Sequence, residues 1–434
     1  SGAYPGSPIT AGAAAIFAPY RLENVLIDGY DVVVNKPKAA PYRAPGAPIV
    51  AFAVEQVVDE LADALGIDPV DLRLMNAAAE GDRRADGVMN GRIGAVETLQ
   101  AIKLHPHYKA KLPRAANGKA YGRGVGLGFC RNNAGPASVV ASVNSDGSVA
   151  LVEGSVDIGG SRTAVAQMFA EVLGIPVESI TPNVGDTDSI GFTSVTGGSG
   201  VAYKTGWAAH DAANDVKRQF ITRAARIWDK PESEIEYVDG VLRHISDPEL
   251  KITFQQLAAQ LNDTGGPVVG RANINPGGSA GSYSANIIDV EVDTETGKVE
   301  ILRVTALQDV GTAIHPSYVE GQIQGGTAQG IGWALNEEYF LSEQGKMLNS
   351  SLLDYRMPTS TDLPMIDTVL VEVPNPKHPY GVKGVGEANI SAPLAAVANA
   401  IHDATGVRLT QLPMNPAVVQ KAISGRKGIT ARSP

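Results

Sequence analysis

The chain has 434 residues, 44% hydrophobic and 19% charged, so it can bury large cores and is too long for one ordinary compact domain. Its net charge of −10 disfavours nucleic acid and anionic membranes as partners. Cys130 is the only cysteine, which excludes an internal disulfide and a thiolate or iron–sulfur cluster held by this chain alone, and fits a reducing, cytoplasmic setting.

No apolar run is long enough to span a bilayer. The opening, Ser1 to Gly6, has neither an initiator methionine nor a signal-peptide pattern and reads like the middle of a larger unit. Residues 20–34 alternate like a strand through Leu22, Val25, Ile27 and Val32 to Val34. A proline-rich turn follows from Asn35 to Pro48. Helical spacing of Val54, Val57, Val58, Leu61 and Leu65 predicts a helix over 49–65, stopped by Gly66. Asp68 caps a second helix with Pro69 in its first turn. Polar stretches at 80–92 and 112–120 place a domain boundary near 110–120, giving domains 1–115 and 116–434.

Beyond it, Ser138–Val143 and Val149–Val156 form a hairpin across Asn144 to Gly147, followed by a helix over 163–173. A similar hairpin, Asn286–Val292 with Val299–Leu307, leads through Asp309-Val310-Gly311 to a helix over 316–336. The two blocks suggest a weak internal duplication, with halves 116–275 and 276–434, and an α+β fold of mixed sheets, hairpins and packed helices. A long helical pattern over 207–227 lies between them.

Several loops could carry chemistry. Asp157 to Thr163 joins a strand to a helix, where free N–H groups and the helix dipole attract phosphate; Gly159, Gly160, Ser161, Arg162 and Thr163 supply backbone and side-chain donors. A plain helix cap with a solvent-facing arginine is the other reading. Thr196 to Gly200, including Ser199, is a second turn of this kind. Gly321 to Gly330 places glutamines, Gln329 among them, in a helical run, suited either to a heterocyclic ligand or to close helix packing. Prolines stiffen the loop around Tyr42, Arg43, Ala44 and Pro45. His105 and His107 lack accompanying ligands, and a solvated loop is expected there. Gly381, Gly384 and Gly386, with Val385, lead to Glu387, a carboxylate at the tip of an unobstructed loop. No dinucleotide or Walker fingerprint and no nucleophile elbow occurs.

In their joint order these segments resemble the molybdopterin-binding subunit of the xanthine oxidase family of molybdenum hydroxylases. The likeness runs through Tyr42-Arg43-Ala44-Pro45-Gly46, Ala64 to Pro69, Gly159 to Thr163, Val184 to Asp188, Gly321 to Gly326 with Gln329-Gly330, and Gly384 to Glu387, covering essentially the whole chain. It implies a cofactor cleft between domains. Molybdenum is held there by a pterin dithiolene, as the cytosine dinucleotide, with no direct protein ligand. Glu387 matches the family's general base and Gln329 the glutamine that contacts the pterin. Arg43 and Ala44 match the loop beside the metal. Gly159, Gly160, Ser161, Arg162, Thr163, Gln167, Ser199, Gly200, Gly384, Val385 and Gly386 fall in cofactor-binding segments. Tyr42, Pro45, Phe129, Cys130 and Arg131 fall about the substrate pocket.

Departures qualify the likeness. The phosphate loop is one residue shorter than the Gln-Gly-x-His-Thr pattern of many relatives. Of two phenylalanines that sandwich purines, Phe129 matches one and Pro45 replaces the other. The loop over 40–46 lacks the cysteine of the carbon monoxide enzymes. The family's earlier Gly-Gly-Phe-Gly-Gly segment is absent, so either an N-terminal molybdopterin-domain chain is expected as partner or the subunit was cut. Iron–sulfur clusters and FAD are expected on further subunits, in a dimer of heteromers. The resemblance implies oxidative hydroxylation of an aromatic N-heterocycle with water as oxygen source. Aldehyde oxidation and a non-catalytic cofactor-binding or assembly role are the alternatives.

Overall fold

The computed structural model describes residues 7–426; the opening Ser1–Gly6, read above as the middle of a larger unit, lies outside the described residues. Helices α1 (Ile9–Ala15), α2 (Ala47–Leu65), α3 (Pro69–Asn76), α4 (Ala95–Leu104) and the single turn α5 (Pro106–Lys109) come first. Strands β1 (Lys119–Cys130), β2 (Ala137–Val143) and β3 (Val149–Glu153) lead to α6 (Ser161–Leu173), β4 (Ile180–Val184) and the long α7 (Val201–Trp228). A small sheet of β5 (Ile235–Val238), β6 (Val241–His244) and β7 (Lys251–Thr253) precedes two short helices, α8 (Phe254–Ala258) and α9 (Leu261–Thr264). The chain continues through β8 (Val268–Ile274), β9 (Ser282–Asp293), β10 (Val299–Asp309), α10 (Pro316–Leu335) and β11 (Ile366–Val371), and ends with α11 (Pro393–Thr405) and α12 (Pro416–Gly425).

Two mixed four-stranded sheets organise the molecule. One runs β1-β9-β10-β11 and the other β4-β3-β2-β8. Both predicted hairpins form, β2 against β3 and β9 against β10, each antiparallel. Alternation explains β2 and β3: Val139, Ala141, Val149 and Leu151 enter a core closed by Phe169 of α6 and Ala212, Val216 and Phe220 of α7. Strand β1 pairs along its whole length with β9, so residues 119–130 of the first proposed half sit in the sheet of the second.

Strand β1 reads poorly as a strand because it carries Gly122, Gly124, Gly126 and Gly128 at every second position. The structure gives the reason. A Cβ on Gly124 would lie 2.0 Å from the Ala396 carbonyl oxygen, and one on Gly122 would lie 2.1 Å from that of Ala400. The bare stripe lets the alanine-rich α11 rest directly on the sheet. Neither this strand nor α11 is among the predicted elements. The long helix begins at Val201, earlier than the predicted 207, directly after the Gly198-Ser199-Gly200 turn.

Two expectations in the first third of the chain change. Residues 21–42 form no strand among the described residues, and bends at 23–24 and 35–36 interrupt them. Helix α2 forms as predicted, yet Val57, Leu61 and Leu65 lie on its outer face, each more than half exposed. Its inner face instead carries Phe52 and Glu55, and buried Glu55 pairs with Arg73 at 2.8 Å and accepts from Tyr20 and from the Leu127 N–H. His107 also departs from expectation. It is fully buried, with Nδ1 2.8 Å from Thr305 Oγ1 and Nε2 3.1 Å from Asp289, so it is a core group and not part of a solvated loop.

Candidate active site

The loop to Glu387 is fastened through its own backbone. Ser282 of β9 donates to the Gly384 carbonyl, Gln308 of β10 and Asn389 donate to that of Val385, and Arg43 Nε donates to that of Gly386. Just upstream, Lys383 pairs with Asp309 at 2.7 Å, both side chains fully buried, and Asp309 also accepts from Gly94 and Gly311 N–H groups. Burial pushes the Asp309 carboxyl up and the Lys383 amine down, while each partner's charge works against the shift. Gly384 must be bare, since a Cβ there would lie 2.5 Å from Asn132 Oδ1 and from Ser199 Cβ.

Glu387 itself is half-buried. Its Oε1 accepts from the Ala44 N–H at 3.2 Å, and its Oε2 lies 3.4 Å from Ser199 Oγ and 3.7 Å from Cys130 Sγ. Ala44 can aim its N–H this way because it adopts φ +53, a conformation that costs a non-glycine residue about 1–2 kcal/mol. Burial pushes the Cys130 thiol well above its ordinary value, and the Glu387 carboxylate adds to the shift, so this cysteine is a donor and not a thiolate.

Arg43 ties the proline-stiffened loop to α10. Its guanidinium donates to the Gln322 carbonyl at 2.9 Å, to Gln322 Oε1 and to Gln329 Oε1, and Gln329 Nε2 in turn donates to the Tyr42 hydroxyl.

These groups border a cavity of about 480 Å³. Of the residues picked from the sequence, Arg43, Gly159, Gly160, Ser161, Ser199, Gly200, Val385, Gly386 and Glu387 line it. Arg162, Thr163, Gln167, Ala44, Gln329 and Gly384 do not; Gln329 and Gly384 stand behind Arg43 and the loop, and Gln167 Oε1 is buried without a hydrogen-bond partner. Phe129 also lies outside the lining. Its ring is buried against Tyr283 at 5.2 Å, under the Arg84 guanidinium, with Gly281 on its edge. Tyr42, Pro45 and Arg131 are likewise outside the lining. Sequence reasoning missed Gln322, Tyr318 and His315, although the glycine–glutamine run over 321–326 was a signal for the first. Gly159 and Gly160 fold onto them, since Cβ atoms there would strike Gln322 Nε2 and the Tyr318 ring.

Three helix N-termini border this cavity: that of α10 is capped by the His315 side chain, and those of α6 and α7 differ. At α6 several of the donors assigned to a phosphate are already engaged. Asp157 Oδ1 accepts from Gly160 N–H, Ser161 Oγ and Arg162 N–H, and its Oδ2 from Arg162 Nε. Burial raises the Asp157 carboxyl, but the bonds from Arg162 and Ser161 outweigh it and hold the group low. The chain's own carboxylate therefore occupies part of the donor set at the phosphate seat expected at 161–163. At α7 no side chain caps the helix and no acidic residue occupies its first turn. Gly200, Val201 and Ala202 line the cavity, and first-turn N–H groups have no partner within a helix. A Cβ on Gly197 would meet only Val195, at 3.9 Å, so a ligand could approach the backbone closely there. Buried Lys204 holds this turn by donating to the Ser194 and Val195 carbonyls.

An open cavity with an uncapped helix N-terminus at one side, glycine walls and a fixed carboxylate fits a large anionic cofactor. Comparison with known proteins agrees. Residues 101–364 match a molybdopterin cofactor-binding domain family, and residues 1–77 match a second domain family of the same description. The chain belongs to the molybdopterin-binding large subunits of the molybdenum hydroxylases. It is 34% identical over 400 residues to a putative xanthine dehydrogenase molybdenum-binding subunit of Escherichia coli strain K12, a match covering 88% of this chain and 53% of that one. It is 29% identical over 427 residues to the nicotine 6-hydroxylase large subunit of Paenarthrobacter nicotinovorans, covering 91% and 52%. The aldehyde oxidoreductase structure from Desulfovibrio desulfuricans superposes with a TM-score of 0.79 at 27% identity, over 96% of this chain and 45% of that one. The quinoline 2-oxidoreductase of Pseudomonas putida 86 shares the fold, with a TM-score of 0.85 at 24% identity over 96% and 57%. The chain spans about half the length of the curated relatives it matches. Among the described residues no helix is long and apolar enough to cross a membrane.

Proposed function

We propose that this chain is the catalytic molybdopterin-binding part of a molybdenum hydroxylase that oxidises an aromatic N-heterocycle, with water as the oxygen source. The observation that carries this is Glu387, a carboxylate presented into the cavity on a loop whose carbonyls are held by Ser282, Gln308, Asn389 and Arg43. A pure binding module has no use for a carboxylate fixed in this way.

When bound, the cofactor supplies a two-electron acceptor and the metal that acidifies water. Glu387 takes up the proton released in the reaction, at the oxygen not engaged by the Ala44 N–H. Ser199 and Cys130 limit its rotation. Arg43 and Gln322, with Gln329 behind them, form one wall of the cavity. The phosphate-bearing end of the cofactor, in the cytosine dinucleotide form, seats at the uncapped start of α7 near Gly197 to Ala202, and not at Ser161 to Thr163 where Asp157 sits. Electrons leave through iron–sulfur and flavin subunits, because a single cysteine cannot hold a cluster. The missing cysteine over 40–46 argues against carbon monoxide as substrate. The assembly is a cytoplasmic dimer of heteromers.

Aldehyde oxidation by the same groups is the second reading. It is favoured by the burial of the Phe129 ring and by Pro45, which together leave neither of the two phenylalanine positions free to stack on a flat substrate.

The test is Glu387→Gln in the assembled, molybdenum-loaded complex. Turnover should fall about 100- to 10,000-fold, since the amide keeps the shape but cannot take the proton. Near-normal turnover at full metal and pterin content would remove Glu387 from the mechanism and leave the cofactor-binding or assembly role.

A further inference from the structure

Three arginines stand near Glu387 or near the residues that touch it, and two of them are spent inside the chain. Arg43 donates to oxygens of Gly386, Gln322 and Gln329. Arg84 lies over the Phe129 ring and binds both carboxylate oxygens of Asp86, at 3.1 and 2.8 Å. Arg131 is different. It is exposed, and among the described residues its side chain makes no hydrogen bond or ion pair. It directly follows Cys130, whose thiol lies 3.7 Å from Glu387 Oε2. Its charge is felt on both sides. Burial and the Glu387 carboxylate raise the Cys130 thiol, and Arg131 pulls the other way. Asp86, raised by burial but held low chiefly by Arg84, feels Arg131 as well. The backbone here is fixed. Cys130 pairs with Ser282 in the sheet, the Asn132 amide donates to the Ala280 carbonyl and to Ser282 Oγ, and the Asn133 N–H donates to the Gly198 carbonyl. A free guanidinium is thus carried on a rigid stem beside a fixed carboxylate.

We infer that Arg131 determines specificity by pairing with a carboxylate on the substrate, so that the ring oxidised here is an aromatic N-heterocycle bearing an acid group. The inference rests on the reading of the chain as part of a molybdenum hydroxylase and names the substrate class of that same site. Position argues for it. Ser199 and Glu387 line the cavity assigned to the cofactor, whereas Phe129, Cys130 and Arg131 do not, so Arg131 marks an approach to the carboxylate outside the cofactor's seat. Charge argues for it as well. Asp86 is already bound by Arg84, which leaves the Arg131 charge without a partner of its own. An anionic substrate nearing Glu387 meets a like charge, and a guanidinium beside it offsets that repulsion. Grip is the third argument. With the Phe129 ring buried and Pro45 in place of a second ring, neither position stacks on a flat substrate. A two-pronged guanidinium–carboxylate pair supplies both hold and orientation in their stead.

The experiment titrates the assembled, molybdenum-loaded complex with the pyridine monocarboxylates and, separately, with the matching carboxamides, and reads binding by calorimetry. The best carboxylate should bind at least about 10-fold more tightly than its carboxamide, the worth of one charge-assisted pair. Arg131→Met should erase that preference by weakening the carboxylate, and Arg131→Lys, which keeps the charge without the fork, should restore part of it. Steady-state kinetics on the same pairs should show the loss in KM more than in kcat, because the contact is made before and during the reaction alike. Wild-type complex that binds both classes equally overturns the inference. So does a preference that Arg131→Met keeps, or a variant that weakens acid and amide by the same factor, which marks a structural role. Calorimetry needs no turnover. An Arg131-dependent preference for carboxylates in a fully loaded complex that oxidises no heterocycle and no aldehyde therefore sinks the hydroxylase reading alone. Turnover of uncharged heterocycles with no preference for the acids sinks the role of Arg131 alone.

Discussion

The two ends of the cavity wall are built on opposite plans. The Glu387 loop hangs from the sheet β1-β9-β10-β11 by fully buried groups, and what it touches is contained in this chain. The loop around Arg43 lies between a segment without strand structure and a helix that keeps an apolar stripe, Val57, Leu61 and Leu65, facing outward. The difference teaches that pattern strength and burial are separate matters. The helical spacing in α2 is as regular as in any core helix, but regularity says only that a face exists, not what covers it.

The contrast can be broken at its strongest point first. Lys383→Met leaves Asp309 buried without its counter-charge and should cost about 3–5 kcal/mol in chemical unfolding; adding Asp309→Leu should recover most of that loss. If the single variant unfolds at the wild-type denaturant midpoint, the loop is not anchored there.

Next comes acid. Burial pushes His378 down to about 4, and its neutral ring is well used: Nε2 lies 3.0 Å from the Tyr203 carbonyl, and Nδ1 accepts from the Tyr380 N–H leading into the Glu387 loop. The unfolded chain takes a proton near 6.5 that the folded chain refuses until about 4. Stability is therefore whole above 6.5 and falls as pH drops toward 4, by up to about 3 kcal/mol. In His378→Asn the slope over that window should vanish; an unchanged slope assigns it to other groups.

A smaller effect is expected on the glycine stripe. Gly124→Ala pushes a Cβ into the backbone of α11 and should cost about 1–3 kcal/mol, whereas Gly91→Ala, with nothing within 4 Å, should be near neutral. Equal melting temperatures for the two would mean that α11 gives way freely. Smallest of all is Leu61→Lys, which should change the isolated chain by no more than about 0.5 kcal/mol, because the residue is half exposed there. A large loss would place Leu61 in a core that the structure does not show.

Much of this architecture was legible in the sequence wherever a local rule operates. The hairpins declared themselves by alternation around turn residues, α6 and α10 by glycine or proline at their ends, and the Glu387 loop by its glycines. Non-local relations stayed hidden. Strand β1 carries alternating glycines for the sake of α11, which lies more than 260 residues away in sequence. Asp157 was passed over as a neighbour of the phosphate loop, though Asp at that offset from a helix start is itself a capping signal. His107 looked solvated because nothing near it in sequence reveals Asp289 and Thr305.

The fasteners of the Glu387 loop all grip carbonyl oxygens, and they come from four separate places in the chain: Arg43, Ser282, Gln308 and Asn389. Such a loop has no hinge of its own. It cannot swing aside while the sheet beneath it stays folded, so heating should extinguish turnover and melt the β9–β10 hairpin in the same transition. The carboxylate behaves mechanically as part of the sheet, and its aim is a property of the whole domain.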